Sequence, residues 1–226
     1  MIAVVYHCKM SGDGIPSRNK AIEIGREQMA ALSESGLANA ANRIIVGING
    51  PFDPLTDSIN VPDKSVVYFH GAKARSELPT LAILREWLQG HSDWNVCYHH
   101  SKGVTQPDSE EKRNHRKVME KAVIWNWQRC VHDLERGFDA VGVNLVDPVT
   151  RPVLPGRFFA GNFWWAKASY LLALPPIPKT VQNWSDAQRC IAEMWIGRSK
   201  QRPAMLDYER PELAEWCINS GRVRQL

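Results

Sequence analysis

Along residues 1–145, short runs that are apolar at nearly every position alternate with longer stretches whose apolar positions fall three and four apart. The continuous runs cover residues 2–6, 43–48, 65–69, 94–98 and 139–144. A strand covered by helices on both faces has this pattern, because neither set of alternating side chains meets water. Between the runs, residues 18–34 carry Ile22, Gly25, Met29 and Leu32 on one stripe, and residues 77–89 read as a second helix. Residues 110–136 place Met119, Val123, Trp127, Cys130 and Leu134 at steps of four, four, three and four, the period of a long amphipathic helix. Ser35-Gly36 and Gly137 end the first and third helices, glycine accepting the left-handed conformation of a helix terminus.

Strand and helix in alternation predict an α/β fold with a Rossmann-type, mostly parallel sheet flanked by helices. Ligands of such sheets collect at the carboxyl ends of the strands. After residue 145 the rhythm changes. Residues 148–155 are proline-rich, 158–165 aromatic and 166–174 helical, and Pro175, Pro176 and Pro178 then interrupt the chain. A helix over 185–196, with Ser185 as its N-cap, and a last one over 209–219 complete the expectation. No repeat, low-complexity tract or linker divides the chain, so one domain spanning residues 1–226 is expected.

Composition narrows the class without naming a function. Hydrophobic residues make up 44% and charged ones 23% of the 226, values that supply an ordinary core. A net charge of +4 suits an anionic ligand, yet no dense Lys/Arg stripe marks a nucleic-acid surface. Cys8, Cys97, Cys130, Cys190 and Cys217 lack the spacing of a zinc site. Cys97 on a strand and Cys130 on a helix read as buried free thiols, and a reducing cytoplasm is the expected location. The apolar start is too short for a signal-peptide core, and no run approaches the roughly 18 residues that span a bilayer.

Three segments carry candidate chemistry. His100-Ser101-Lys102-Gly103 follows the fourth strand, where a lysine and a close-approaching backbone are fit to meet phosphate oxygens. Lys112, Arg113, His115, Arg116 and Lys117 cluster near a helix start, against the dipole, as a bound diphosphate would favour; a solvated charged face is the other account. Gly161-Asn162-Phe163-Trp164-Trp165 offers an amide and indoles, suited to the polar edge and apolar face of a sugar, although a tryptophan-rich turn in the core is equally compatible. Glu193 lies among apolar residues on the helix over 185–196; if buried, its pKa rises toward that of a general base.

These blocks resemble a glycosyltransferase-like family found in bacteria and viruses. The resemblance rests on residues 98–104, 139–144, 161–171 and 192–197, together with Ser35-Gly36-Leu37, and its most specific part is Gly-Asn-Phe-Trp-Trp at 161–165. It implies a GT-A-like fold in which residues 1–145 form the nucleotide-binding half and 146–226 the acceptor and sugar half. It further implies transfer of a sugar from a nucleotide-sugar donor to a hydroxyl acceptor, a saccharide or lipid-linked glycan ahead of a hydroxylated base in viral DNA. A non-catalytic carbohydrate-binding module is the alternative. Donor binding would fall to His7, Lys9, Lys73, Arg75, Asn162, Trp164 and Trp165, and catalysis to Lys102, His100 and Glu193. Enzymes of this type end the fourth strand in Asp-x-Asp, which holds a divalent metal on the diphosphate. His100-Ser101-Lys102 stands there instead, so the expectation is no metal ligand and no cofactor, with Lys102 supplying the charge and Glu193 the base. Asp139 and Asp147 are the carboxylates left for a metal.

Overall fold

A computed structural model describes residues 1–9, 15–50, 58–71, 76–104, 109–147, 156–177 and 186–210. In chain order it contains β1 (Ile2–Lys9), α1 (Ile15–Glu34), α2 (Leu37–Ala40), β2 (Arg43–Asn49), β3 (Ser65–Phe69), α3 (Leu78–Trp87) and β4 (Asn95–His100). There follow α4 (Glu110–Glu120), a π-helical turn (Lys121–Trp125), α5 (Trp127–Glu135), β5 (Ala140–Gly142), β6 (Leu145–Val146) and β7 (Phe158–Phe159). β8 (Trp164–Lys167), α6 (Ala168–Ala173), α7 (Asp186–Trp195) and β9 (Met205–Asp207) complete it.

The strands β3-β2-β1-β4-β8-β5-β9 form one seven-stranded sheet. β1 pairs in parallel with β2 and β4, β2 with β3, and β5 with β9, whereas β8 runs antiparallel to both β4 and β5. The expected α/β architecture with a mainly parallel sheet is therefore present. The expected halves interleave, since β8 from the second lies between β4 and β5 of the first. Alternation along each strand splits the core into two layers. Val4, Tyr6, Cys8, Cys97 and Trp165 pack on one face with Met29 and Leu32 of α1, Met119 of α4 and Leu134 of α5. Ala3, Val5, Val96, Tyr98 and Trp164 pack on the other with Leu78 and Leu81 of α3, Leu171 of α6 and Trp195 of α7.

Several boundaries differ from the sequence reading. β1 and β4 run further than expected, so His7 and Lys9 on β1, and His99 and His100 on β4, belong to strands. Their register (His7 opposite His100) holds both tips together. Residues 110–136 do not form one helix, because the π turn interrupts them. The Trp165 indole donates to the Val123 carbonyl at 2.7 Å and the Cys97 thiol reaches the same oxygen at 4.0 Å. Side-chain donors from the sheet thus occupy an acceptor of the helical ladder, and Asn126 N bonds back to Lys121 O at 3.2 Å. Gly36 does take the expected left-handed conformation, at φ 77°. The Ser185 cap and the helix proposed over 209–219 lie, respectively, outside and almost wholly outside the described residues. Cys8, Cys97 and Cys130 are buried and free, and burial pushes the Cys8 thiol up to about 11. Among the described residues no helix is long and apolar enough to cross a membrane.

Beneath α1 and α4 the first layer contains a polar island. Arg116, Glu120, Gln28 and His99 are buried there around the Tyr6 ring, which packs on His99 with centroids 4.9 Å apart. Burial raises the Glu120 carboxyl to about 7 from 4.5, against the opposing charge of Arg116. The other groups acting on it are Gln28, Glu27 and Lys117, with Tyr6 facing it from β1. Below pH 4.5 the group is protonated in both states. Between 4.5 and 7 only the unfolded chain gives up the proton, so stability falls as pH rises through that window and levels above it. At about 1.4 kcal/mol per unit the change amounts to about 3 kcal/mol. Urea unfolding across this range should show the fall in the wild type and not in Glu120→Gln. Parallel pH profiles for the two proteins would remove Glu120 as its source.

Candidate active site

The carboxyl ends of β1, β3 and β4 converge on the start of α3. His7 is 1% exposed at the end of β1, and its Nδ1 lies 2.7 Å from Thr80 Oγ1 on α3. His70, directly after β3, brings Nε2 to 2.9 Å from the same hydroxyl. Space for both comes from β2: a Cβ on Gly47 would lie 1.9 Å from Thr80 Oγ1 and 2.8 Å from His70 Nε2. Burial, reinforced by His100, His70 and Lys9, holds the His7 imidazole well below its ordinary range, and burial also lowers His70. Both rings are neutral at pH 7.

One turn away stands Glu77. Its Oε2 accepts from Tyr98 Oη at 2.7 Å and from Asn162 Nδ2 at 2.6 Å, while Oε1 lies 3.4 Å from His100 Nδ1. His100 Nε2 lies 2.8 Å from the Gly161 carbonyl. Asn162 Oδ1 accepts from Trp164 Nε1 at 2.6 Å, and the Trp164 ring stacks on Tyr98 at 5.0 Å between centroids. A single carboxylate therefore ties β4 to the turn before β8. That turn is left-handed at two successive positions, Gly161 at φ 98° and Asn162 at φ 55°; asparagine tolerates this region better than most residues. Lys102 lies against the same turn, because a Cβ on Gly161 would stand 3.2 Å from its Nζ. Its backbone is fixed by Lys102 N donating to His100 O at 2.7 Å and by Arg116 Nη1 on Lys102 O at 3.4 Å. Lys9 N donates to Ser101 Oγ at 2.9 Å and locks the neighbouring tip.

The structure thus gathers His7, Lys9, His100, Lys102, Asn162 and Trp164 at one end of the sheet. It also changes what several of them offer. Both His100 ring nitrogens face protein acceptors, and both ends of the Asn162 amide are engaged, so these side chains position the site rather than present free groups to a ligand. Trp164 is 1% exposed and Trp165 0%, on opposite faces of the sheet, because neighbours along β8 point opposite ways. Neither indole has an open face for a sugar. Glu193 on α7 is half-exposed rather than buried, and no described hydrogen bond or ion pair joins it to His100, Lys102 or Asn162. Lys73 and Arg75 lie outside the described residues. Of the basic cluster, Arg116 turns inward to Glu27 at 2.7 Å and is 3% exposed. Asp147 is taken by Arg157 at 2.5 Å, and Asp139 accepts from Ala204 N at 2.8 Å. Among the described residues no three His, Cys, Asp or Glu side chains form a metal-holding group.

Glu77 and Thr80 escaped the sequence reading. An acid at the first position of a helix is accounted for by the dipole, and a lone threonine inside one gives no signal.

The profile of one family, described as a domain of unknown function (DUF8361), matches residues 10–224. The chain belongs to DUF8361. No curated protein matches it. Among solved structures, this DUF8361 chain is similar to a protein from Desulfovibrio desulfuricans G20 described as a nucleotide-diphospho-sugar transferase. That pair shares 14% identity over 91% of this chain and 81% of the other, with a TM-score of 0.44. It is also similar to a 4-diphosphocytidyl-2C-methyl-D-erythritol synthase, at 13% identity over 76% of each chain and a TM-score of 0.39.

Proposed function

We propose that the chain transfers a sugar from a nucleotide-sugar donor to a hydroxyl acceptor, a saccharide or lipid-linked glycan. The reading is carried by Lys102, whose backbone is tied down just past the tip of a central parallel strand and whose ammonium lies beside a glycine that leaves it room. At that place a fixed positive charge meets the negative charge growing on a departing diphosphate. The C1–O bond to the diphosphate breaks with its electron pair passing to that oxygen. The acceptor oxygen bonds to C1, and its proton passes to a base, for which Glu193 is the proposed group. His100, Asn162 and Glu77 hold the loop that carries Lys102, and the exposed part of Lys9 borders the donor. Metal independence belongs to the same proposal, with Lys102 supplying the charge that a metal would otherwise give.

The test is a panel of UDP-, GDP-, CMP- and dTDP-sugars, read by thermal shift and by release of free nucleotide, with and without EDTA. One donor should raise the unfolding temperature by mass action and release nucleotide at an unchanged rate in EDTA. Glu193→Gln should lower transfer to acceptor with little change in donor affinity, and unaltered turnover would remove it as base. Stabilisation without release would make the chain a binding module, and loss in EDTA restored by manganese would give the charge role to a metal. If no donor stabilises the protein, the proposal fails.

A further inference from the structure

Two carbonyls of the segment that presents Lys102 are held by side chains that meet at one buried carboxyl. Arg116 Nη1 of α4 donates to Lys102 O at 3.4 Å, and Gln28 Nε2 of α1 donates to His100 O at 3.1 Å. The same guanidinium brings Nε to 3.5 Å from Glu120 Oε1, and the Gln28 side chain hydrogen-bonds the Glu120 carboxyl. All three side chains are buried. Gly103, at φ 94°, leaves the guanidinium room, since a Cβ there would stand 3.8 Å from Arg116 Nη1. Glu120 is thus one side chain removed from the Lys102 peptide along two separate routes.

Arg116 is drawn in two directions. Its Nη2 donates to Glu27 Oε2 at 2.7 Å, on a side chain that is 43% exposed, whereas Glu120 is enclosed. An arginine keeps its charge at any working pH. With Glu120 ionised, the guanidinium is shared between two carboxylates, and Nη1 stays on Lys102 O. With Glu120 protonated, the attraction on Nε is lost, and Glu27 alone balances the charge.

We propose that Glu120 is a positioning residue for the strand-end site: ionised, it holds the Lys102 peptide in place through Arg116 and Gln28, and protonated, it releases that hold. The inference rests on the reading of Lys102 as the group that meets the diphosphate. Burial brings the Glu120 carboxyl up to about 7, so both forms are populated near neutral pH. The charged and titratable groups around it are Arg116 and Lys117 on α4, Glu27 on α1 and Tyr6 on β1, while Glu34 and Lys121 line the same groove. His99 of β4, behind the Tyr6 ring, is lowered by burial to about 3 and stays neutral throughout.

The test uses the whole chain grown with isotope-labelled lysine and read by its amide resonances. The Lys102 amide, assigned by its loss in Lys102→Arg, donates to His100 O at 2.7 Å and so lies between the two held carbonyls. It should titrate with a midpoint near 7. Glu120→Gln, neutral at every pH, should keep the amide at its low-pH position throughout. Gln28→Met should move the midpoint up, because Gln28 favours the carboxylate, and should shrink the shift, because the arm to His100 O is gone. That variant decides the matter should Glu120→Gln not fold. With a donor that is turned over, kcat should fall about tenfold between about pH 8 and pH 6, as the ionised fraction drops to about a tenth, with donor KM changing less. In Glu120→Gln the rate should be low at both. The amide readings need no donor and stand even if sugar transfer fails. A Lys102 amide that does not titrate near 7 in an active enzyme overturns the inference and leaves the transfer reading intact. So does a midpoint that persists in Glu120→Gln, the mark of a neighbouring histidine.

Discussion

Lys102→Ala is expected to lower nucleotide release and sugar transfer by about 100- to 1000-fold, the usual cost of removing one preorganised group that stabilises developing charge. The fold should survive. Lys102 is half-buried, and its described hydrogen bonds are made by the backbone, which alanine preserves. The unfolding midpoint should therefore move little while activity falls, a split that a merely structural residue would not give. Lys102→Arg should recover part of the rate, because the charge returns on a longer and broader group against the Gly161 turn. Wild-type turnover in the alanine variant would remove Lys102 from the reaction, and with it the assignment of the metal's role to this lysine.

The second large effect concerns Glu77. Glu77→Ala takes the acceptor from the buried Tyr98 hydroxyl and the fully buried Asn162 amide at once. Each buried donor left unpaired costs about 1–3 kcal/mol, so the expected loss of stability for the two is about 2–6 kcal/mol, measured by urea unfolding. The loss should be felt locally too. Asn162 holds a left-handed backbone conformation partly through that bond, and it anchors the Trp164 indole, so tryptophan fluorescence should change in the folded variant. Glu77→Gln should fall between the two proteins, since a carboxamide oxygen still accepts while its NH2 faces donors. An alanine variant within about 0.5 kcal/mol of wild type, the range of an ordinary surface substitution, would show that Glu77 does not hold this end of the sheet together.

These residues also mark where sequence was informative. β1, β2 and β4 were visible because each contains a continuous apolar run, the pattern of a strand covered on both faces, and β3 because its run over 66–69 is apolar too, although it lies at the sheet edge with Phe69 36% exposed. The position of His100 and Lys102 at the end of such a strand followed directly. β8 was hidden. Its four residues sit in an aromatic stretch that reads equally as a core turn, and nothing local announces that it enters the middle of the sheet in the opposite direction. Had it been seen as a strand, the alternation rule would have sent Trp164 and Trp165 to different faces, and the sugar-stacking role would have lapsed. β9, three residues long, is too short to carry a period. The π turn was invisible for another reason: its cause, the Trp165 indole, lies 42 positions from the carbonyl it engages. Glu77 reads as a helix-start acid because its partners, Tyr98 and Asn162, come from distant parts of the chain.

The Thr80 hydroxyl, shared by two imidazoles, carries a single hydrogen. It can point at only one ring, so the other ring must point its own hydrogen at the oxygen. His7 and His70 therefore hold opposite tautomers with respect to Thr80, one offering a lone pair and the other an N–H. The two rings are thus coupled through one oxygen: whichever of the two, lone pair or N–H, half-exposed His70 presents to Thr80, buried His7 presents the other.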